Sequence, residues 1–450
     1  MFKVTELLKA TKGKLLSGKS SAAVKSISID SRTLRKGEVF LAIKGDNFDG
    51  HDFIDKAINR GASAVILHKN AKIKNHKICC IRVKNTTAAL GDIARFHRGK
   101  FDIPVIAVTG SNGKTTAKEM IASVLSLKGK VLKNPGTNNN HIGLPQTLLE
   151  LNNRHDFAVV ELGTNHSGEI AYLSGICKPD IAVITNVAAS HLEHFKSLKG
   201  VLTEKYSIVD NLNDKGLVIL NADDAFLAGK LKAKSPFKLS FGIKNKAEFR
   251  VDAIKVKDLR TEFRVNGKYK FALGTPGYYN IYNALGAITC GRVFGLSYDE
   301  LGRCLLRFTF PKGRLNLVEI NRIKFINDTY NSNPYSLKRA LEVLGAFRVQ
   351  GRKIFIMGDM LELGSQKHFF HTQAVKAALE VCHVLIAVGD VTNKALSGLR
   401  IKGPGTAKVF TCRTSCQAKE ILFNRVLPKE NDIVLVKGSR AMLMEEVFKI

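Results

Sequence analysis

The chain has 450 residues, 70 lysines and arginines against 39 aspartates and glutamates, and a formal net charge of +31. That length exceeds one ordinary core and points to about three folded units, and 45% hydrophobic with 24% charged residues is an ordinary globular balance. No apolar run reaches the roughly 20 residues that span a bilayer, and eight scattered cysteines form no disulfide framework, so a cytoplasmic enzyme is expected. In chain order, MFKVTELLKATKGK reads as a short amphipathic helix, because it lacks the continuous apolar core of a secretion signal. The strand-like runs VKSISID, EVFLAI, ASAVILH and ICCIRV follow, with Cys79 and Cys80 expected to be buried in the last.

FDIP then breaks the pattern, and apolar strands alternate with amphipathic helices from VIAVTG through FAVVELG to DIAVITNV. Continuous apolar strands between helices predict a parallel sheet covered on both faces. Residues 236–275 alternate differently (KLSFGI, EFRVDAIKV, TEFRVNGKYKFAL) and are expected as antiparallel strands appended to that sheet. After a second break at FTFPKGR, near Pro311, the runs KIFIMGD, HVLIAVGD, KVFTC and DIVLVKGS predict another open sheet. The expected fold is α/β in three units, 1–99, 100–311 and 312–450, the last Rossmann-like. Cys412 and Cys416 lack a second Cys/His pair at matching spacing, so no metal is assigned to them. The basic excess raises nucleic-acid binding. It is spread along the whole chain, without interleaved aromatics, and is read as a solvated surface with some charge serving an anionic substrate.

The strongest chemical signal is VIAVTGSNGKTTAKEM: a buried strand, a glycine-rich turn, then a helix start. Gly110, Ser111, Asn112, Gly113, Lys114, Thr115 and Thr116 form a phosphate loop whose glycines admit phosphate close to the backbone. Lys114 would reach the β- and γ-phosphates and Thr115 would ligate Mg2+, with ATP or GTP as the nucleotide. Gly110 precedes Gly113 by three positions, shorter than the usual P-loop. FAVVELG ends in Glu161, where a phosphate-loop enzyme needs a carboxylate for the metal.

With these segments on the page, the chain resembles the Mur ligases, ATP-dependent enzymes that build the peptide of bacterial peptidoglycan. TGSNGKTT resembles their short-spaced loop. NNNHIGLPQTLL, ELGTNHSGEI, NDTYNSNP, GDMLELG and KGSRAMLMEEV occur in the family's order and resemble its branch that adds D-alanyl-D-alanine to a UDP-N-acetylmuramoyl tripeptide. The resemblance implies a catalytic set of Lys114, Glu161, His191 and Lys205. His191 would help hold a second Mg2+, and Lys205 would carry CO2 as a carbamate. Tyr206 and Ser207 stand where Gly and Glu are expected, and His194 and Lys196 where glycines are expected. It also implies Asn283, with Asn280 beside it, at the adenine, Arg314 at phosphate and Asp328 at ribose. In the first unit it implies Ser31, Arg32 and Lys44 at the UDP end, with GDNFDGHDF as the adjoining loop. Gly358–Gly364 and Lys437–Arg440 would shape the dipeptide site.

The activity so implied is ATP-dependent, ADP-forming amide synthesis through an acyl phosphate, with FTFPKGR as the hinge between units. UDP-N-acetylmuramoyl tripeptide and D-Ala-D-Ala are the expected partners, on a monomer that engages neither nucleic acid nor membrane. Folylpolyglutamate synthase shares the short loop and is one alternative, opposed by ELGTNHSGEI and GDMLELG. A nucleic-acid-stimulated ATPase is another, opposed by the single acid of ELG.

Overall fold

The structure is a computed structural model that describes residues 2–68, 78–190, 192–232, 236–257, 260–275, 278–399 and 407–449. Among them, sheets of five, nine and six strands follow one another along the chain, with a small ladder of Phe2–Lys3 against Ala23–Val24. In the first sheet the order is Lys14–Ser17, Cys79–Arg82, Ala64–Leu67, Val39–Leu41, Ile27–Ser28, antiparallel only at the first pair. Cys79 and Cys80 are buried in it. The amphipathic N-terminal helix spans Val4–Thr11 and turns Val4 and Leu7 inward.

The nine-stranded sheet carries the phosphate loop. Val105–Thr109 lies between Phe157–Glu161 and Ile181–Ile184, parallel to both, and all five of its residues are buried. Alternate side chains explain the continuous apolar run. Ile106 and Val108 pack with Met120, Ile121, Leu285 and Ile288 of helices Lys114–Leu125 and Tyr279–Val293, whereas Val105 and Ala107 pack with Leu144, Ile170 and Leu173 on the opposite face.

The antiparallel extension is shorter than the sequence reading expected. Phe237–Gly242 runs parallel to Leu217–Asn221, which it follows by way of helix Ala225–Leu231. Phe249–Lys257 is parallel to Phe237–Gly242, and the antiparallel pairs are Phe249–Lys257 with Arg260–Val265 and Arg260–Val265 with Tyr269–Leu273. A short link suffices between the two parallel strands because their register is staggered: Phe241 pairs with Phe249 and Gly242 with Arg250, so the second begins where the first ends.

In the last sheet the order is Asn316–Ile320, Ile323–Asp328, Ile433–Lys437, Lys353–Gly358, Val384–Val388, Lys408–Cys412. Its first two strands form a hairpin turning on Asn321 and Arg322, at φ 51° and 64°, the left-handed pair that a two-residue turn requires. The remaining pairs are parallel. No described helix is long and apolar enough to cross a membrane.

Candidate active site

Loops leaving the carboxyl ends of strands in the second and third sheets line one cleft, where open α/β sheets present their ligand sites. Ser111, Asn112, Gly113, Lys114, Thr115 and Thr116 form one wall. The loop's shape is enforced from beneath by residues 185–190. Asn186 accepts the Ser111 and Asn112 N–H groups on its carbonyl and Oδ1, at 2.9 and 3.0 Å, and Thr185 Oγ1 donates to the Asn112 carbonyl at 2.6 Å. Gly110, at φ 144°, lies so close to that floor that a Cβ would sit 2.0 Å from Thr185 Oγ1. Gly113, at φ 79°, packs against Asn283, whose Oδ1 would be 2.5 Å from a Cβ. Lys114 folds back so that Nζ donates to the Gly110 carbonyl at 2.9 Å.

Glu161 is buried at the end of its strand and lines the cleft. Its Oε1 accepts from Asn139 Nδ2 at 2.6 Å, and its Oε2, also buried, has no hydrogen-bond partner. An orphaned carboxylate oxygen in a cleft that Thr115 also lines suits a divalent cation, which takes carboxylate and hydroxyl oxygens. Lys205 lies fully buried on helix Leu198–Tyr206. Burial pushes its ammonium well below the usual amine range; Lys114 adds to the shift, and Glu204, Glu161 and Glu169 oppose it. An amine held towards neutrality is what carbamate formation needs. Among the described residues no cluster of three His, Cys, Asp or Glu side chains is built to hold a metal. His191, expected at a second ion, lies outside the described residues.

The third unit closes the other wall. Arg314 Nη2 donates to Thr115 Oγ1 at 3.2 Å, and its guanidinium stacks 3.7 Å over the Tyr330 ring. Asn333 Nδ2 donates to Asn112 Oδ1 at 2.8 Å. Asp328, buried, accepts from Lys437 Nζ at 2.6 Å and from the Leu315 N–H at 3.2 Å. Burial works against the charge on Lys114, Arg314 and Lys437 alike, so a polyanion in the cleft would strengthen all three. Tyr279 also meets Tyr335 and Arg339 across this interface, its ring 5.8 Å from that of Tyr335 and 5.9 Å from the Arg339 guanidinium.

Thus the cleft gathers Ser111 to Thr116, Glu161, Asn280, Asn283, Arg314 and Asp328, with Lys205 buried behind it. Of the two expected dipeptide segments, Leu361 to Leu363 and Lys437 reach it. Ser31, Arg32 and Lys44 do not line it. They follow the parallel strands Ile27–Ser28 and Val39–Leu41 of the first sheet; Ser31 is buried, and exposed Arg32 is held by Asp30 at 2.8 Å. Sequence reasoning missed Asn139, Asn186, Glu204, Asn333 and Arg339. Asn139, Asn186 and Asn333 stood inside quoted segments, but an asparagine in a loop carries no signal for what it will touch.

Three family models match the chain in order: "Mur ligase family, catalytic domain" over residues 23–98, "Mur ligase middle domain" over 108–291 and "Mur ligase, glutamate ligase domain" over 313–440. The UDP-N-acetylmuramoyl-tripeptide--D-alanyl-D-alanine ligase of Buchnera aphidicola (subsp. Baizongia pistaciae) is 38% identical over 95% of this chain and 93% of its own. That of Escherichia coli is 34% identical over 94% and 93%. Crystal structure I of MurF from Acinetobacter baumannii superposes with a TM-score of 0.90 at 32% identity, covering 99% of this chain and 98% of that one. MurF ligase from Thermotoga maritima in complex with ADP superposes at 0.84 with 27% identity, over 95% and 96%. With likeness of this extent in sequence and in fold, the chain belongs to the Mur ligase family.

Proposed function

We propose that this chain is an ATP-dependent, ADP-forming ligase that joins D-alanyl-D-alanine to a UDP-N-acetylmuramoyl tripeptide in cytoplasmic peptidoglycan precursor synthesis, acting as a monomer. The observation that carries the reading is the single cleft in which Lys114, Thr115 and Glu161 of one unit face Arg314 and Asp328 of another. The names of its relatives supply the substrates.

A carboxylate is a poor electrophile because its leaving group would be oxide. Transfer of the γ-phosphoryl group to the tripeptide's terminal carboxylate, with ADP leaving, makes an acyl phosphate. The D-Ala-D-Ala amine then attacks the acyl carbon, and inorganic phosphate leaves as the amide forms. Little covalent work falls to the protein, so its share is positioning and charge stabilisation. Lys114, the loop N–H groups and Arg314 stabilise charge on the phosphates, Asp328 accepts from the ribose, and Asn283 with Asn280 meets the adenine. Mg2+ would be held by Thr115 and Glu161, with His191 and a carbamate on Lys205 at a second ion, and would supply positive charge to neutralise the phosphates. Ser31, Arg32 and Lys44 hold the UDP end, and Gly358–Gly364 with Lys437–Arg440 receives the dipeptide. Residues 1–99, 100–311 and 312–450 act as the three substrate-bearing units, with 308–314 as the hinge.

The test is phosphate release from ATP with purified UDP-muramoyl tripeptides, containing lysine or diaminopimelate, each with and without D-Ala-D-Ala. Release is expected only when all three substrates are present. No release with either tripeptide would overturn the assignment.

A further inference from the structure

Helix Lys114–Leu125 carries a second lysine one turn beyond Lys114. Lys118 is outside the cleft surface and its side chain is 0% exposed. Its Nζ donates to the Asn134 carbonyl at 2.6 Å and the Gly136 carbonyl at 3.1 Å, and pairs with Glu119 Oε1 at 2.8 Å. An ammonium has three donors, and two of them here are spent on the backbone of one loop. Filling space would need no cation, since an apolar side chain fills it without loss of hydration.

The loop so anchored holds Glu161. Asn134, itself fully buried, accepts the Glu161 N–H at 2.8 Å and donates to the Glu161 carbonyl at 3.3 Å. Asn139 donates to Glu161 Oε1 at 2.6 Å, and the Gly163 N–H returns to the Asn139 carbonyl at 2.9 Å. The chain leaves the sheet after Val131–Lys133 and re-enters regular structure only at helix Gly143–Leu148. Across that gap, the loop is held to the surrounding unit by these bonds to Lys118, Glu161 and Gly163, and to the helix that follows by Asn140, which accepts the Ile142 and Gly143 N–H groups on Oδ1 and the Leu144 N–H on its carbonyl. Asn134 Nδ2 also donates to the Asn138 carbonyl at 3.0 Å, which couples the Lys118-bound end of the loop to Asn139, and the Asn139 bond to Oε1 leaves Oε2 as the free carboxylate oxygen.

We propose that Lys118 is a positioning residue for Glu161. By pinning residues 134–136 it places Asn139 on Oε1 and so presents Oε2 to a divalent cation. The proposal rests on the reading of Glu161 as a cation ligand and goes beyond it in saying what orients the ligand.

The test measures Mn2+ binding to the full chain with ADP, by the electron paramagnetic resonance of free Mn2+, and ADP binding without metal by calorimetry. Losing support behind a metal ligand weakens metal binding by about 10- to 100-fold. Lys118→Met is therefore expected to weaken Mn2+ binding at least about tenfold, with metal-free ADP binding held within about twofold because Lys114 and the loop N–H groups are untouched. Asn139→Ala, which removes only the bond to Oε1, should reproduce the metal defect and carries the test if Lys118→Met fails to fold. Unchanged Mn2+ affinity in folded Lys118→Met, or in Asn139→Ala, while Glu161→Gln weakens it, overturns the proposal, as do equal losses of Mn2+ and ADP, which would mark general loosening. Unchanged binding in Glu161→Gln removes Glu161 from the cation and the proposal falls with it.

Discussion

Replacing Glu204 with alanine should be among the most damaging changes available outside the cleft surface. The carboxylate is buried on helix Leu198–Tyr206 and caps a different helix, Glu169–Cys177, which has no side-chain cap of its own. One oxygen accepts from the Ile170 N–H at 2.8 Å and Thr164 Oγ1 at 3.1 Å, and the other from the Gly168 N–H at 2.7 Å. Glu204→Ala strands two backbone donors, each costing about 1–3 kcal/mol, and removes an anion from a helix N-terminus, worth about 0.3–2 kcal/mol. Relief of the carboxylate's own desolvation offsets part of this, leaving a net loss of about 3 kcal/mol. For a unit of roughly 150–250 residues, that lowers Tm by about 6–12 °C. Circular dichroism on heating reads it, and Glu204→Gln, which keeps one acceptor, should fall between. Because Thr164 lines the cleft and Lys205 is the next residue, phosphate release should also drop below the transition temperature. A Glu204→Ala protein melting within about 1 °C of the parent would refute the capping argument.

Lys196 sits at φ 62°, so Lys196→Gly should leave Tm unchanged or raise it by up to about 1 kcal/mol in stability, whereas Lys196→Val should lower it by more than that on thermal unfolding. His371 Nε2 accepts the Met360 N–H at 2.9 Å, so its proton is on Nδ1, 2.6 Å from the Lys367 carbonyl; burial holds its pKa below the ordinary value, and burial does the same for His97. The unfolded chain takes up these protons near pH 6.5 and the folded chain only lower, so stability should hold above about pH 6.5 and fall below it by up to 1.4 kcal/mol per unit for each histidine. Urea titrations between pH 7 and 5.5 should show a shallower fall in His371→Leu. Arg314→Lys keeps a charge but loses the planar fork that spans Thr115 and Tyr330, and kcat for phosphate release should drop by about 10- to 100-fold.

The phosphate loop was legible because its chemistry is local: strand, glycines, lysine and helix start are contiguous, and the fold only had to deliver them. Glu161 was legible for the same reason, as an acid at a strand end. The support beneath them was not. Asn186 holds the loop from across a strand crossing, 74 positions after Asn112, and Glu204 caps a helix 36 positions before it. No periodicity links such pairs; only the packed sheet brings them together. The parallel pairing of Phe237–Gly242 with Phe249–Lys257 was hidden similarly, because alternating side chains report a half-buried strand and say nothing of its direction. Lys196 runs the other way. A lysine where glycine was expected turns out to hold the left-handed backbone that glycine would have held more easily.

The third unit's role also follows from where its strands end. Ile323–Asp328 and Ile433–Lys437 are neighbours, and their last residues, Asp328 and Lys437, are register partners joined by a buried ion pair of 2.6 Å. Beyond Lys437 the chain passes Gly438, whose Cβ would meet Gly358 Cα at 3.1 Å, and Ser439, whose N–H donates to the Asp359 carbonyl at 3.0 Å and whose Oγ accepts the Leu361 N–H at 2.8 Å. Three consecutive residues therefore tie the proposed ribose carboxylate to the loop proposed for the acceptor. Asn333 and Arg314 tie the same unit to Asn112 and Thr115 of the phosphate loop. A displacement of the third unit large enough to release the loop proposed for the dipeptide would break the contacts proposed for the nucleotide as well. That linkage would restrict phosphoryl transfer to the arrangement in which an acceptor can be held, which an enzyme making a hydrolysable acyl phosphate needs.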